Sequence, residues 1–300
     1  MTKRGRLILG LMRIEDMSVE SLYDLLLFCL EKGITTLDVA DIYSDGRSES
    51  ALGEVFRRHP GLREKFFIQT KVGIVQKEGK TVCYDFSKDY LLKAVDNCLS
   101  RLCVDHVDSL LLHRPDILMD GKEVGEAVSS LLEDKKILHF GVSNMDRSQI
   151  EYLEEFLPCP IEVDQLQLGL GQSFLLSGPL NVDNPVQSPL ETGGLFFFLK
   201  RRGIALQCWS PYQVGFFEGS LFLHPKMEKA QECLADLSKK YGVSPCAVAT
   251  AFLSSLGENV EIVIGALRKD YIQESLDGIA LPLEREDWYR LYCSAGNVLP

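Results

Sequence analysis

The chain has 300 residues, of which 46% are hydrophobic and 25% are charged, a composition typical of a folded domain with a large apolar core. Its formal net charge of −11 argues against a nucleic-acid partner, because binding to a phosphate backbone depends on basic surfaces. The longest apolar stretches, such as LYDLLLFCL and LFFFL, are too short to span a bilayer, so we expect no membrane partner.

The first residues and the cysteines both predict a cytoplasmic protein. The opening segment MTKRGRLILGLMRIEDMS carries Arg13, Glu15 and Asp16 where a secretory signal would need an unbroken apolar core. The nine cysteines are scattered without a C-x-x-C pair or a Cys/His cluster, which favours reduced thiols over disulfides or a zinc site. Cys208 is interpreted in the same way, as a small buried apolar residue. We expect no bound metal.

Short apolar runs alternate with longer amphipathic stretches along the chain. In chain order, the predicted strands are RLILGL, ITTLDVA, FFIQTK, VDSLLLH, HFGVS, IEVDQLQL, IALQCWS and EIVIGA. The predicted helices, which have apolar residues at i, i+3 and i+4, are SVESLYDLLLFCLEKG, SESALGEVFRR, DYLLKAVDNCLSRL, GEAVSSLLEDK, RSQIEYLEEF, LETGGLFFFLKRR, HPKMEKAQECLADLSKKYG and KDYIQESLDG. Ser18 is the expected N-cap of the first helix, while Gly33, Gly203 and Gly242 stand where left-handed residues end helices.

Eight strands in alternation with helices predict an α/β fold of the (β/α)8 TIM barrel type, with eight parallel strands. No linker or repeat interrupts the chain, so we expect residues 1–300 to form a single domain. Residues 169–190 and 210–222 are too long for ordinary connections and are expected to be long loops at the C-terminal face. They either line an apolar pocket or pack on themselves. The residues expected at such a pocket are Met12, Phe174, Leu175, Trp209, Phe216 and Phe217.

Polar side chains end several of the predicted apolar runs. Since active sites of such barrels lie at the carboxyl ends of the strands, these residues would share one rim. They are Asp38, Tyr43, Lys71, His113, Ser143, Asn144, Gln165 and Ser210. Each also fits a purely structural role when it is considered alone, as a turn cap, a strand-end residue, a boundary histidine or a helix cap. Their common position at strand ends favours a catalytic interpretation.

The motifs GITTLDVADIYSDGRSESALGEVF, TKVG, VDSLLLHRPD and GVSN occur in this order. On these motifs the chain resembles the aldo-keto reductase family, from GLMR near its start to VIGALRKDYIQESL near its end. The segments RPDILMD and HFGVSN are most similar to a bacterial branch of predicted oxidoreductases. The resemblance implies an NAD(P)H-dependent enzyme that reduces an aldehyde or ketone, with four catalytic residues, namely Asp38, Tyr43, Lys71 and His113.

The chemistry of carbonyl reduction explains these residue types. Hydride transfer to a carbonyl creates an alkoxide, which Tyr43 would protonate as the general acid. A free phenol has a pKa of about 10, so it is a weak acid at neutral pH. Lys71, held charged by Asp38, is expected to lower that pKa. His113, neutral or charged, would donate a hydrogen bond to the carbonyl oxygen and orient it.

The resemblance also implies the residues that hold the nicotinamide. Ser143, Asn144 and Gln165 match the family's carboxamide-binding residues. Trp209, followed by Ser210, falls where an aromatic ring stacks on the nicotinamide. The alternative for Trp209 is an aromatic residue of the core. No G-x-G-x-x-G fingerprint occurs, so a Rossmann fold does not explain cofactor binding.

The segment IGALRKDYIQES, residues 264–275, corresponds to the family's phosphate-binding loop. Gly265 and the start of the next helix can present N–H groups to phosphate. Ala266 and Tyr271 depart from the family pattern, which commonly has a serine or threonine and an arginine there. Arg268 or Lys269 would supply the missing charge, so NADPH is favoured and NADH remains possible. The positions that match the family's adenine contacts are Glu274 and Ser275.

Two other functions remain open. A barrel aldolase would use Lys71 to form a Schiff base, although Tyr43, Asn144, Gln165 and Trp209 would then have no role. A cofactor-binding sensor or partner subunit would keep the same residues with little turnover. The identity of the substrate stays open, and a monomer is the expected state. Only about half a dozen residues precede RLILGL, too few for the β-hairpin with which family members often begin.

Overall fold

The computed structural model describes residues 4–181 and 194–300. Its strands, in chain order, are β1 (Leu7–Gly10), β2 (Thr36–Asp38), β3 (Phe67–Val72), β4 (Ile74–Lys77), β5 (Lys80–Tyr84), β6 (Val107–Leu112), β7 (Ile137–Ser143), β8 (Val163–Gln167), β9 (Ala205–Trp209), β10 (Gln213–Val214), β11 (Gly219–Ser220) and β12 (Val260–Ile264). Single 3₁₀ turns occupy Arg63–Lys65 and Pro225–Met227.

The helices lie between these strands. They are α1 (Val19–Glu31), α2 (Arg47–Arg58), α3 (Lys88–Leu102), α4 (Gly121–Glu133), α5 (Arg147–Glu154), α6 (Phe174–Leu180), α7 (Leu195–Arg202), α8 (Glu228–Tyr241), α9 (Pro245–Ser254), α10 (Lys269–Ala280) and α11 (Arg285–Ser294). Among the described residues, none of these helices is both long and apolar enough to cross a membrane.

Eight strands close into a barrel in the order β1-β12-β9-β8-β7-β6-β3-β2. Neighbouring strands with a defined register run parallel, for example β3 beside β6 and β9 beside β12. The predicted (β/α)8 barrel is therefore confirmed. Contacts within the chain group it into two compact units, Met1–Asp164 and Gln165–Pro300. A single domain over residues 1–300 stays a prediction.

In the first unit, local sequence signals set the helix ends. Ser18 caps α1, because its hydroxyl accepts a hydrogen bond from the Ser21 N–H at 3.1 Å, and Gly33 has the expected left-handed φ of 75°. Gly53 allows α2 to approach α3, since a Cβ there would lie 2.1 Å from the carbonyl oxygen of Arg101. Residues 4–6, which precede β1, contain no strand.

The antiparallel hairpin of β4 and β5 follows the third barrel strand and was not predicted from the sequence. Glu78 and Gly79 form its turn with φ values of 50° and 72°, the left-handed pair that a tight hairpin turn needs. Glutamate is an unusual residue in such a turn, which normally carries Asn-Gly or Asp-Gly. The sequence signal was therefore weak.

The second unit differs more from the predicted elements. Helix α9 was missed because nine of its ten residues are buried, so it has no polar face to reveal a helical period. Helix α11 was also missed. The first long loop contains helix α6, and residues 182–190 of that loop lie outside the described residues. Residues 191–193, at the start of the next predicted helix, lie outside them as well. The second long loop contains the two-residue strands β10 and β11.

Candidate active site

Asp38, Lys71 and Tyr43 form one hydrogen-bonded centre in the first unit. Asp38 ends β2, Lys71 lies near the end of β3, and Tyr43 follows in the loop after β2. The Lys71 Nζ lies 2.7 Å from Asp38 Oδ2 and 3.0 Å from the Tyr43 hydroxyl oxygen. Its third contact is with the Val39 carbonyl oxygen at 2.9 Å. An ammonium has three donors, so this buried cation is fully satisfied.

Gln69 supports this centre and was not among the predicted site residues. Its Nε2 donates to Asp38 Oδ1 at 2.7 Å, so each carboxylate oxygen of Asp38 accepts a hydrogen bond. Gln69 stands two residues before Lys71 in β3, and alternate residues of a strand share one face. That period-two relation was the signal that could have identified it.

The pKa of Tyr43 departs from the prediction. Burial raises the pKa of this phenol; the positive charge of Lys71 lowers it and the negative charge of Asp38 raises it again, so the result lies above the ordinary value. The prediction that Lys71 and Asp38 together lower the pKa was therefore wrong for Asp38 and for the net direction. Lys71 does act in the predicted direction. Tyr43 consequently holds its proton at neutral pH.

His113 stands directly after β6, with its ring edge-on to that of Tyr43. The two ring centroids are 5.9 Å apart and the planes make an angle of 81°. Burial lowers the pKa of His113 well below its ordinary value, and the charges of Lys71 and Arg114 lower it further. The imidazole is therefore neutral at pH 7. Its Nδ1 is buried and has no hydrogen-bond partner in the described part of the chain.

Asn144 connects the end of β7 to His113. Its Nδ2 donates to the His113 carbonyl oxygen at 3.1 Å and to the Ser143 hydroxyl at 2.7 Å. The backbone of Asn144 is left-handed, with a φ of 61°, a conformation that asparagine tolerates better than most residues. Ser143 and Asn144 thus lie in the same unit as the Asp38–Lys71–Tyr43 centre.

An acidic group lies in the same loop as Tyr43. Burial and the negative charge of Glu49 raise the pKa of Asp41 to about 7, although Arg101 and Lys71 oppose this shift. Glu49 is itself fully buried and binds Arg101 at 2.7 Å. Asp41 was not among the predicted site residues, because a carboxylate in a loop gives no sign of burial.

In the second unit, Gln165 is part of a buried amide pair. Its Nε2 donates to Gln207 Oε1 at 2.9 Å. Trp209 ends β9 and is half-buried, with the rings of Phe216 and Phe217 at centroid distances of 6.3 and 6.0 Å. The indole is therefore not enclosed in the core. The next residue, Ser210, is left-handed with a φ of 49°.

The predicted phosphate-binding segment begins with Ile264, the last residue of β12, and continues through Gly265 into α10. Arg268 is exposed and forms an ion pair with Asp270, with its Nε 3.1 Å from Asp270 Oδ1. Its guanidinium carbon lies 4.5 Å from the centre of the Tyr271 ring. This carboxylate partner of Arg268 was not predicted from the sequence.

The two predicted adenine contacts differ in exposure. Glu274 is partly exposed, whereas Ser275 is fully buried. The Ser275 hydroxyl lies 2.8 Å from the Tyr212 hydroxyl and donates to the Tyr271 carbonyl oxygen at 2.9 Å. Its side chain therefore serves the packing of α10.

Comparison with known proteins identifies a family and several relatives. Residues 6–292 match the model of the aldo/keto reductase family. The chain is 29% identical to a 6-dehydroglucose reductase of Agrobacterium fabrum, over 97% of this chain and 94% of the relative. It is also 29% identical to the oxidoreductase YdhF of Escherichia coli, over 96% and 92% of the two chains.

A solved structure shares the fold. The aldo/keto reductase of Klebsiella pneumoniae in complex with NADP and acetate superposes with a TM-score of 0.75 and 19% identity, covering 99% of this chain and 93% of that one. The resemblance to bacterial oxidoreductases predicted from RPDILMD and HFGVSN is confirmed by the sequence relatives. The chain belongs to the aldo/keto reductase family, a family of oxidoreductases.

Proposed function

We propose that this protein reduces an aldehyde or ketone to an alcohol, with NADPH as the hydride donor and Tyr43 as the proton donor. The observation that carries the proposal is the position of the Lys71 ammonium, 2.7 Å from the Asp38 carboxylate and 3.0 Å from the Tyr43 hydroxyl. A buried cation beside a phenol stabilises the phenolate that remains after the proton has been transferred.

Each group of this centre has a distinct role. Tyr43, protonated at neutral pH because burial raises its pKa, gives its proton to the alkoxide oxygen. Asp38 and Tyr43 outweigh the effect of burial on Lys71 and raise its pKa, so Lys71 stays charged throughout. The neutral His113 imidazole has a donor nitrogen for the carbonyl oxygen of the substrate.

The residues present suit a nicotinamide cofactor, which would supply the hydride when bound. Gln165 offers an amide of defined direction, and the half-buried Trp209 offers an indole face. We infer that Ser143 and Asn144 complete the set that holds the carboxamide. The Klebsiella relative was solved with NADP, which supports the same cofactor here. NADH remains the second candidate, because Asp270 already occupies Arg268.

The charge of Lys71 also argues against a Schiff-base aldolase. A lysine attacks a carbonyl as the neutral amine, and such lysines have lowered pKa values. Here the carboxylate of Asp38 and the phenol of Tyr43 raise the pKa of Lys71 despite its complete burial. The amine form is therefore rare at neutral pH.

The test is the Tyr43→Phe variant, assayed by NADPH oxidation with aromatic aldehydes, dicarbonyls and sugar aldehydes. We expect kcat to fall by about 10²- to 10⁴-fold, the contribution typical of a general acid, while NADPH still binds. Tyr90→Phe is the matched control, because its hydroxyl makes only a 3.4 Å hydrogen bond to the Ile74 carbonyl oxygen. Unchanged turnover in Tyr43→Phe contradicts the mechanism. Tight NADPH binding without turnover in the unmodified protein indicates the sensor or partner function.

A further inference from the structure

Three polar side chains form a hydrogen-bonded chain within the second unit. Gln165 Nε2 donates to Gln207 Oε1 at 2.9 Å, and Gln207 Nε2 donates to Glu261 Oε2 at 2.8 Å. The exposed fractions of the three residues are only 2%, 0% and 8%. Gln207 and Glu261 are direct neighbours in the register of β9 and β12. These hydrogen bonds therefore connect Gln165, a predicted cofactor-binding residue, to the buried acid Glu261.

Packing alone does not require polar residues at these positions. The neighbouring residues along both strands, ALQCW and VEIVI, are apolar, and all of them except the half-buried Trp209 are buried. Burying an amide or a carboxyl costs free energy that valine or leucine would not. A buried polar network is nevertheless well suited to fixing one arrangement of its members, since every alternative leaves a group without a partner.

Glu261 determines which group of each amide donates and which accepts. A carboxylate only accepts hydrogen bonds, so Glu261 requires Gln207 to turn its amino group toward β12. The side-chain oxygen of Gln207 then faces Gln165 and accepts a hydrogen bond from the amino group of Gln165. The carbonyl oxygen of Gln165, Oε1, is thereby turned away from Gln207. Without the acid, this constraint on the direction of the two amides is lost.

We propose that Glu261 and Gln207 are positioning residues, which fix Gln165 Oε1 as the acceptor for the amino group of the cofactor's carboxamide. The inference rests on the proposed function, because it concerns the same nicotinamide. A reversed Gln165 would place its amino group against the amino group of the carboxamide, two donors facing each other. The buried acid prevents that reversal.

The decisive variant is Glu261→Leu, which removes the acceptor at the end of the chain. NADPH affinity, measured by calorimetry, is expected to fall about tenfold, the effect of one lost hydrogen bond. Affinity for 2′-phospho-ADP-ribose, which lacks nicotinamide, should stay the same. The 3-acetylpyridine analogue of NADPH has no amino group on its ring substituent, so Glu261→Leu should not weaken its binding.

An exchange of the two residues tests the direction of the chain. In Gln207→Glu/Glu261→Gln the carboxylate stands in the middle and still accepts from Gln165, so NADPH affinity should return to within about twofold of the unmodified protein. Glu261→Gln alone keeps the side-chain volume but leaves the direction unspecified, and should weaken NADPH binding by a few-fold. It replaces Glu261→Leu if the leucine variant does not fold.

The outcomes separate this inference from the proposed function. Equal losses for NADPH and 2′-phospho-ADP-ribose indicate a general distortion and overturn the positioning role. Unchanged NADPH binding in both single variants, or an exchange variant as weak as Glu261→Leu, also overturns it. An unmodified protein that does not bind NADPH overturns the proposed function itself.

Discussion

The two units carry different chemistry on their barrel strands. In the first unit, the ammonium of Lys71 lies between a carboxylate and a phenol at 2.7 and 3.0 Å. In the second unit, two amides and one acid are connected at 2.9 and 2.8 Å. The first arrangement is built on charge, which shifts pKa values. The second is built on the direction of donors and acceptors, which orients a bound group.

The comparison shows how each task is matched to a residue type. A proton donor must change its charge during the reaction, so a neighbouring charge of fixed sign affects the energy of the two states differently. A group that only has to recognise a carboxamide gains nothing from charge and needs one acceptor in one place. Amides supply this at a lower desolvation cost than ions.

The largest predicted difference between the two units is the coupling energy of a pair of side chains, here Lys71 and Asp38. Replacing only Lys71 by Met leaves the buried Asp38 carboxylate without its cation, and should cost about 3 to 5 kcal/mol of unfolding free energy. Lys71→Met/Asp38→Leu removes both charges and should cost much less than the sum of the single variants. We expect a coupling energy of about 3 kcal/mol from urea denaturation of the four proteins.

A double-mutant cycle with Gln165→Leu and Gln207→Leu gives the corresponding coupling energy in the second unit. Both partners are neutral amides, so the expected coupling is only about 1 kcal/mol. Replacing Gln207 also removes the hydrogen bond to Glu261. This cost is the same with and without Gln165, so it cancels from the coupling energy. Equal coupling energies in the two units would refute the distinction between charge and direction.

The sequence predicted the charged centre better than the amide chain, for a physical reason. Asp38, Lys71 and His113 end apolar runs, and a parallel barrel brings all such ends to one rim. Gln207 and Glu261 lie within their strands, where a polar residue can face the interior or the helices with equal ease. Only the register between β9 and β12 shows that they meet.

The remaining differences arose from burial and from local backbone conformation. Tyr43 was expected to be an acid of lowered pKa because its charged neighbours were known, whereas its degree of burial was not. Helix α9 lacks a polar face, and the hairpin turn at Glu78 has an unusual residue. The burial of Tyr43 and of α9 depends on residues that are distant in sequence, so a local pattern could not show it. The turn at Glu78 is local, but its residue type is a weak signal for a hairpin.

An intermediate effect is expected at Asp41, which adds a variable charge to the first unit. Because the pKa of Asp41 is raised to about 7, ionisation of this carboxyl destabilises the fold, and the penalty grows as the pH rises from about 4 to 7. Asp41→Asn removes the penalty. We expect a gain of about 1 to 2 kcal/mol at pH 8, a value reduced for solvent screening, and almost none at pH 4.

Thermal unfolding at the two pH values measures this effect. Asp45→Asn is the control, since Asp45 is exposed in the same loop and its variant should behave like the unmodified protein at both pH values. A gain for Asp41→Asn that is the same at pH 4 and pH 8 would show that the carboxyl does not titrate between them. The positive charges of Arg101 and Lys71 would then offset both the burial of Asp41 and the negative charge of Glu49.

The smallest effect is expected at the exposed ion pair of the second unit, where charge is screened by water and salt. Asp270→Asn frees the guanidinium of Arg268, which stays over the Tyr271 ring. Affinity for NADPH should rise about threefold at low salt, within the range of an exposed ion pair, while NADH binding stays nearly constant. Arg268→Met should lower NADPH affinity by a similar factor.

The salt dependence of both variants shows whether charge is the cause. The advantage of Asp270→Asn for NADPH should shrink as the ionic strength approaches 1 M, because the screening length then falls to about 3 Å. If Arg268→Met leaves the ratio of NADPH to NADH affinity unchanged, Arg268 does not contact the 2′-phosphate. Lys269 is then the remaining cation proposed for that contact, and Lys269→Met must reduce the ratio. In that case the 2′-phosphate would still be bound by a positive charge of the second unit, supplied by Lys269, the first residue of α10.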